Sequence, residues 1–173
     1  MRYQHTFQIG EEESIALHRY ANRKGQMLLS IGLAVAGFLL MLAVMWGVGV
    51  SYALTSGACS GIFFFALVFF TLQQSSAKQV KELFSKGERK AHEQEFIMDQ
   101  GELNIRVGRK THRYDYAKLH SVDESRDYFF VYVKGNLAYT MAKAQMDDPK
   151  KDCETIRAIF KETCVKSVLH LKG

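Results

Sequence analysis

Five basic residues crowd the sequence around Gly108 and could bind anions there. An arginine can bind a phosphate through two parallel hydrogen bonds, and a lysine adds a flexible positive charge. The cluster is a candidate contact for acidic lipid heads or for a partner, and an ordinary solvated hairpin is the simpler interpretation. The five residues are Arg106, Arg109, Lys110, His112 and Arg113. The candidate lipid- or partner-binding residues among them are Arg106, Arg109, Lys110 and Arg113.

The other reactive side chains follow no catalytic or metal-binding pattern. The six histidines include no pair at the i, i+4 spacing of a helical metal site, and the chain has no His-Glu-x-x-His. It also has no Gly-x-Ser-x-Gly and no kinase signature. Cys59, Cys153 and Cys164 form no Cys-x-x-Cys pair and are interpreted as small apolar fillers. We therefore predict no catalytic residue, no cofactor and no metal, in a protein that is not an enzyme.

Residues 25–77 contain no Asp, Glu, Lys, Arg or His. A spanning helix needs about 20 mostly apolar residues, and two such runs lie at about residues 28–50 and 52–72. A buried helical hairpin of a soluble protein is the alternative, but such helices usually carry charge on an outer face. A cleaved signal peptide is disfavoured because three glutamates precede a first run that is long and begins late. The stretch predicts a transmembrane hairpin.

The charges on either side of the hairpin predict its orientation. The connection between the two runs holds glycines, flanked by Trp46 and Tyr52, and has no Lys or Arg. Basic residues lie before the first run and after the second, so the positive-inside rule predicts that both termini are cytoplasmic. The Gly57 and Gly61 spacing lets helix backbones approach closely. It is interpreted as packing within one chain, with a homodimer as the alternative.

The tails on either side of the hairpin read as three further segments. Residues 1–24 predict an alternating strand, from Tyr3 to Ile9, and then a short amphipathic helix. The partner of this strand must lie elsewhere, since no second strand precedes the hairpin. Residues 78–92 predict a basic helical stalk that continues the second spanning helix, with Gly87 as its weak point. This stalk is interpreted as a solvated connector, and binding of acidic lipid heads is the alternative.

Residues 93–173 predict a small α+β domain. Period-two segments separated by short turns indicate an antiparallel sheet. Asp147 and Asp148, followed by Pro149, predict the start of a C-terminal helix. Cys153, Ile156, Ile159, Phe160 and Cys164 would face the core, and Lys150, Lys151, Glu154, Arg157 and Lys161 would face outward.

Two segments resemble a known family. They are SRDYFFVYV at residues 125–133, similar to an acidic-then-aromatic strand, and AYTMAK at residues 138–143, similar to Ala-Tyr-Ile-Ile-Pro-Lys. With the two membrane helices they resemble the YcxB-like bacterial membrane proteins. The chain departs from that pattern at Ala142, where the family usually has proline, at Met146, where it often has phenylalanine, and at Tyr116, near a frequent tryptophan. The resemblance implies a pleckstrin-homology-like (PH-like) sheet closed by a C-terminal helix, and it transfers no catalytic residue.

Together these observations predict a non-catalytic protein of the bacterial inner membrane. Its PH-like domain would dock an unknown protein partner or anionic lipid heads. The resemblance implies the latter because PH domains often bind lipid heads with basic residues around an early hairpin. An immunity protein that protects the inner membrane against a toxin is the alternative. Nucleic acid is not expected as a partner, because the aromatic run from Tyr128 to Tyr132 fits a sheet core better than a base-stacking surface.

Overall fold

The structure, a computed structural model, describes residues 2–99, 101–133, 137–164 and 168–171. The chain forms two compact units. One consists of Met1–Leu17 together with Gly87–Gly173, and the other is His18–Lys86. We call the first the sheet unit and the second the helical unit.

Two long helices dominate the middle of the chain. Helix α1 is Glu11–Met45 and helix α2 is Val50–Ser85. At 1.5 Å per residue each is about 50 Å long, against a hydrocarbon layer of about 30 Å. Both are long and apolar enough to span a membrane. Only 6% and 11% of their most apolar windows are buried, whereas a core helix of a soluble protein would be mostly buried.

The helix boundaries differ from the predicted ones. A short N-terminal helix and a separate spanning helix were expected, but α1 is continuous, because no proline separates them and a single Gly25 costs only about 1 kcal/mol in a helix. The connection is Trp46–Gly49, shorter and earlier than predicted, and Gly49 adopts a φ of 142°, which favours glycine. Helix α2 continues beyond the charge-free stretch and ends at Ser85, shortly before Gly87. The helix thus continues past residue 77, but only to Ser85. The stalk was predicted to reach residue 92, and that part is wrong, because residues 86–91 lie outside α2 and His92 begins a strand.

Glycines bring the two helices together within the chain. A Cβ at Gly57 would lie 2.9 Å from a ring carbon of Phe38, and one at Gly61 would lie 3.3 Å from the carbonyl oxygen of Ala34. The interpretation of this spacing as packing within one chain is therefore confirmed. A Cβ at Gly32, by contrast, would meet nothing within 4 Å.

Polar side chains join the helices near the ends of the charge-free stretch. The amide of Gln26 donates a 2.7 Å hydrogen bond to the hydroxyl of Ser76 and accepts one of 3.1 Å from Gln73. Ser30 is completely buried and donates to the carbonyl of Gln26. In an apolar environment these hydrogen bonds stabilise the helix pair, because an unpaired polar group there raises the free energy of the folded protein.

The first sheet of the sheet unit contains a strand from each side of the helices. Its order is β1 (Tyr3–Ile9), β2 (His92–Met98), β3 (Glu102–Val107) and β4 (Lys110–Asp115), and all pairs are antiparallel. Strand β1 pairs with β2 along its whole length, from Tyr3 opposite Met98 to Ile9 opposite His92. The partner of the N-terminal strand is therefore β2, which follows both helices in the sequence.

The second sheet has the order β7, β6, β5, β8. Its strands are β5 (Leu119–Glu124), β6 (Tyr128–Val133), β7 (Leu137–Ala142) and β8 (Val168–His170). The predicted single sheet is thus divided in two, at the short turn of helix Tyr116–Lys118. Strand β8 was not predicted, and it lies parallel to β5. The sequence pattern also places short turns at Gln100 and at Gly135 and Asn136, and these residues lie outside the described ones.

Helix α3, Pro149–Thr163, follows the strands as predicted. Asp148 caps it by accepting a 3.2 Å hydrogen bond from the backbone nitrogen of Lys151. One apolar core lies in the sheet unit, and β1, both sheets and α3 all contribute to it. Its largest completely buried side chains include Phe7, Phe96, Phe129, Phe160, Leu103, Ile105, Met141 and Ile156.

The side chain of Gln145 connects the first sheet to the segment that follows β7. Gln145, in a short turn of helix after β7, accepts a 2.7 Å hydrogen bond from the backbone nitrogen of Gln8 and donates one of 2.9 Å to its carbonyl. It also donates a 3.1 Å bond to Glu13. The backbone polar groups of Gln8 therefore point away from β2. Gln145 binds the end of β1 and the first turn of α1 to the rest of the sheet unit.

Candidate functional site

The basic residues predicted as a binding site all lie in the β3–β4 hairpin. The two strands are joined by the two residues Gly108 and Arg109, and Gly108 adopts a φ of 59°. That conformation is easy for glycine and disfavoured for other residues. The sequence thus folds locally into a tight turn with Arg109 at its tip.

The register distributes the cations over both faces of the sheet. We call the face that carries Phe96 and Ile105 the core face, and the opposite one the outer face. Lys110 is opposite Val107 and His112 is opposite Ile105, so both belong to the core face. Arg106 and Arg113 are paired with Thr111 and Asn104 on the outer face. The residues that crowd together in the sequence therefore share one hairpin but not one patch.

The cations also differ in their partners. Arg106 lies 3.7 Å from the carboxylate of Glu95 on the neighbouring strand, and its side chain is 59% exposed, so the pair is weak. Arg109, Lys110 and Arg113 are exposed. Within the described part of the chain, no carboxylate lies within 4.0 Å of these three side chains. Their charges are available to an external anion.

The turn of this hairpin lies at a particular end of the sheet. Val107 is opposite Gln94 on β2, and Ile9 on β1 is opposite His92. The chain leaves the sheet for α1 just after Ile9 and returns from α2 just before His92. The tip of the basic hairpin is therefore at the same end of the sheet as Ile9 and His92, where the chain leaves β1 and enters β2.

A buried ionic cluster was missed by reasoning from the sequence. The side chain of Glu124, at the end of β5, has no exposed surface. It accepts hydrogen bonds from Lys143, at 2.5 Å, and from two nitrogens of Arg157, at 2.7 and 3.0 Å. The hydrogen bond to Glu124 raises the pKa of Arg157 above its usual value. Both oxygens of Glu124 thus face cations, and the cluster fastens α3 and the segment after β7 to the second sheet.

Arg157 corrects one expectation, since it was predicted to face outward. Its side chain is only 26% exposed and lies against the sheet unit. The signal was available in the spacing, because Arg157 follows the buried Cys153 by one helical turn. Its partner, Glu124, was not predictable from nearby residues, because it lies 33 positions away in the sequence.

Two of the histidines and one of the cysteines illustrate structural rather than catalytic surroundings. His5 forms a 2.6 Å hydrogen bond with the carbonyl of Gln145, and His170 lies 3.9 Å from Asp123. Burial raises the pKa of Cys153, whose sulfur lies 3.9 Å from that of Met146, so the thiolate is disfavoured. Among the described residues, no three His, Cys, Asp or Glu side chains are grouped so that they could hold a metal ion.

Comparison with known proteins adds no assignment. No protein-family model, no curated protein and no solved structure matches the chain.

Proposed function

We propose that this chain is a multi-pass, non-catalytic protein of a bacterial inner membrane, with both termini in the cytoplasm, and that its sheet unit binds anionic lipid heads. The pairing of β1 with β2 supports the common location of the termini. These strands flank the two helices and are hydrogen-bonded neighbours, so two spanning helices must return the chain to the side from which it started. The basic residues outside the charge-free stretch favour the cytoplasm as that side.

We further propose that the sheet unit is PH-like and that the chain is related to the YcxB-like proteins. The order of elements supports this proposal: two apolar helices, an antiparallel arrangement of strands and one helix near the C-terminus. The segments at residues 125–133 and 138–143, which carry the resemblance, include β6 and most of β7.

The observation that carries the lipid proposal is the location of the β3–β4 turn. Arg109 and Lys110 are exposed, and they lie at the end of the sheet from which the chain enters and leaves the apolar helices. Each lysine or arginine near an anionic leaflet contributes about 1 kcal/mol to binding. Two such residues would therefore change lipid contact by about thirtyfold, which is measurable.

Hydrogen exchange on the full-length protein in nanodiscs tests this function. The amides of residues 106–113 are compared in nanodiscs of neutral and of anionic phospholipid, at low and moderate salt. We expect slower exchange at the turn in the anionic nanodiscs and loss of this protection as salt screens the charges. The test variant reverses three charges, with Arg109→Glu, Lys110→Glu and Arg113→Glu.

A matched control separates a site from general basicity. It reverses three exposed charges on α3, with Lys150→Glu, Lys151→Glu and Lys161→Glu, and so changes the net charge equally. Protection at the turn should disappear in the hairpin variant and persist in the α3 variant. Equal exchange of the turn amides in neutral and anionic nanodiscs would contradict the proposal. An equal loss of protection in the hairpin variant and the α3 variant would also contradict it.

A further inference from the structure

Strand β4 is an exposed edge of the first sheet. It is last in the strand order, and each of its residues except Tyr114 is exposed. An edge strand presents unpaired backbone N–H and C=O groups to any extended chain that approaches it. Such a chain can add itself to the sheet as one more strand.

The hydrogen-bond alternation identifies which residues of β4 offer these groups. In antiparallel strands, successive residues direct their backbone polar groups to opposite sides. Gln8 directs its groups away from β2, toward Gln145. The observed register carries this alternation across β2 and β3 to β4. The backbone N–H and C=O groups of Lys110 and His112 therefore point toward β3, whereas those of Thr111 and Arg113 point away from the sheet. The two-residue turn gives the same result, since its flanking residues Val107 and Lys110 form a hydrogen-bonded pair.

The charge along this edge defines the kind of chain that fits. Lys110 and His112 lie on the core face and Arg113 lies on the outer face. An extended segment also directs successive side chains to alternate faces. Carboxylates on both faces of such a segment would each meet a cation, which a compact anion such as a single phosphate cannot do. The one carboxylate on β4, Asp115, is at its end and caps the following turn by accepting from Ala117.

We propose that the free edge of β4 docks an extended, acidic segment of a partner protein, which pairs with Thr111 and Arg113 as an added strand. A second copy of this chain fits less well, because it would bring the same cations to the same edge and like charges would face each other. This docking differs from lipid contact in geometry. It uses the backbone edge of β4 and the cations along that strand, whereas lipid contact uses the charges at the turn, and Lys110 belongs to both.

Proline substitution at an outward-facing position isolates the backbone contribution. Thr111→Pro removes one edge N–H while leaving Arg109, Lys110 and Arg113 in place, and proline is tolerated where the N–H faces away from the sheet. Thr111→Val is the matched control because it keeps the N–H and the β-branched shape. The protein is the full-length chain in neutral nanodiscs. The probe is a short fluorescent peptide of alternating Glu-Glu and Val-Val pairs, and a peptide with Lys in place of Glu is the charge control.

Fluorescence anisotropy should show binding of the acidic peptide and not of the lysine peptide. Thr111→Pro should weaken it about tenfold or more, and Thr111→Val should leave it within about twofold. Bound peptide should also slow hydrogen exchange at the amides of Thr111 and Arg113 in the wild-type protein. Protection of the turn by anionic nanodiscs should be unchanged in Thr111→Pro, which keeps this proposal distinct from lipid binding.

Three results would overturn the docking site. They are no binding of the acidic peptide, equal binding by Thr111→Pro, and binding without slower exchange at these two amides. If Thr111→Pro does not fold, as circular dichroism would reveal, the exchange measurement on the wild-type protein decides alone.

Discussion

The dependence of the sheet unit on β1 can be tested by removing the two long helices. Ile9 and His92 are opposite each other, and the outward direction of Gln8 makes them a hydrogen-bonded pair. A two-residue turn can therefore join them. The designed chain consists of residues 1–9, an Asn-Gly turn and residues 92–173. Its comparison is residues 92–173 alone, which would be the natural fragment if the domain began after the helices.

The expected difference follows from what β1 buries. Phe7 is 0% exposed, Ile9 6% and Tyr3 7%. Complete burial of a side chain of this size is worth about 1.5–3 kcal/mol, so the three together contribute about 5–9 kcal/mol. A domain has a free energy of unfolding of about 5–15 kcal/mol in total. The chain without β1 should therefore be unfolded or close to it, and Phe7→Ala in the joined chain should cost about 3–5 kcal/mol.

Urea denaturation followed by far-ultraviolet circular dichroism measures both effects. Gln4→Ala is the control, because Gln4 is exposed on the outer face of the same strand, where it bonds to Glu95. This change should cost less than about 1 kcal/mol. The reasoning would be refuted if residues 92–173 unfolded cooperatively at the same urea concentration as the joined chain. A cost for Phe7→Ala no larger than that of Gln4→Ala would refute it equally.

Three further predictions concern the buried charges, the helix pair and the buried tyrosines. In the joined chain, Glu124→Ala should lower the free energy of unfolding by about 3–5 kcal/mol, because it leaves two partly buried cations unpaired; the exposed Glu154→Ala should change it by less than about 0.5 kcal/mol in the same urea titration. In the full-length protein in detergent, Gly57→Val should lower the melting temperature, because a Cβ there would overlap Phe38 at a cost of about 1–3 kcal/mol. Gly32→Val is the control and should not lower it, because a Cβ there would meet nothing within 4 Å. Burial raises the pKa of Tyr139 above its usual value, so the stability that depends on its neutral form should be complete below about pH 10 and decline at higher pH. The decline should be smaller in Tyr139→Phe but not absent, because burial also raises the pKa of Tyr3 and of Tyr116.

The local elements were largely predictable because they depend on neighbours in the sequence. Alternation and short turns indicated successive strands after residue 93, where β2 to β7 lie, and Asp148 with Pro149 indicated the start of α3. The apolar stretch indicated both helices for the same reason, since the lack of charge is a property of consecutive residues. The boundary between α1 and α2 was less predictable, because apolar residues continue through the turn and its glycines do not define where each helix ends.

The elements that were not predicted depend on residues far apart in the chain. Nothing in residues 3–9 identifies β2 as their partner across two helices. The ion pair between Glu124 and Arg157 depends on how α3 lies on the second sheet. Strand β8 has only three residues, too few for a period-two pattern, and it is held by its pairing with β5.

In the basic hairpin, nearness in the sequence does not show which cations can contact one ligand. The strand register shows this, because it decides which of them share a face and how far each lies from the turn. Arg113 is three residues along β4 from Lys110, or about 10 Å from the turn at the usual rise of a strand. That distance equals about one Debye length at 0.1 M salt, so a surface that touches the turn is largely screened from Arg113. A flat anionic surface at the sheet end would therefore interact mainly with Arg109 and Lys110. An extended acidic segment along β4 would instead meet Lys110 and His112 on the core face and Arg113 on the outer face. One run of basic residues thus supports two contacts of different geometry, and only Lys110 belongs to both.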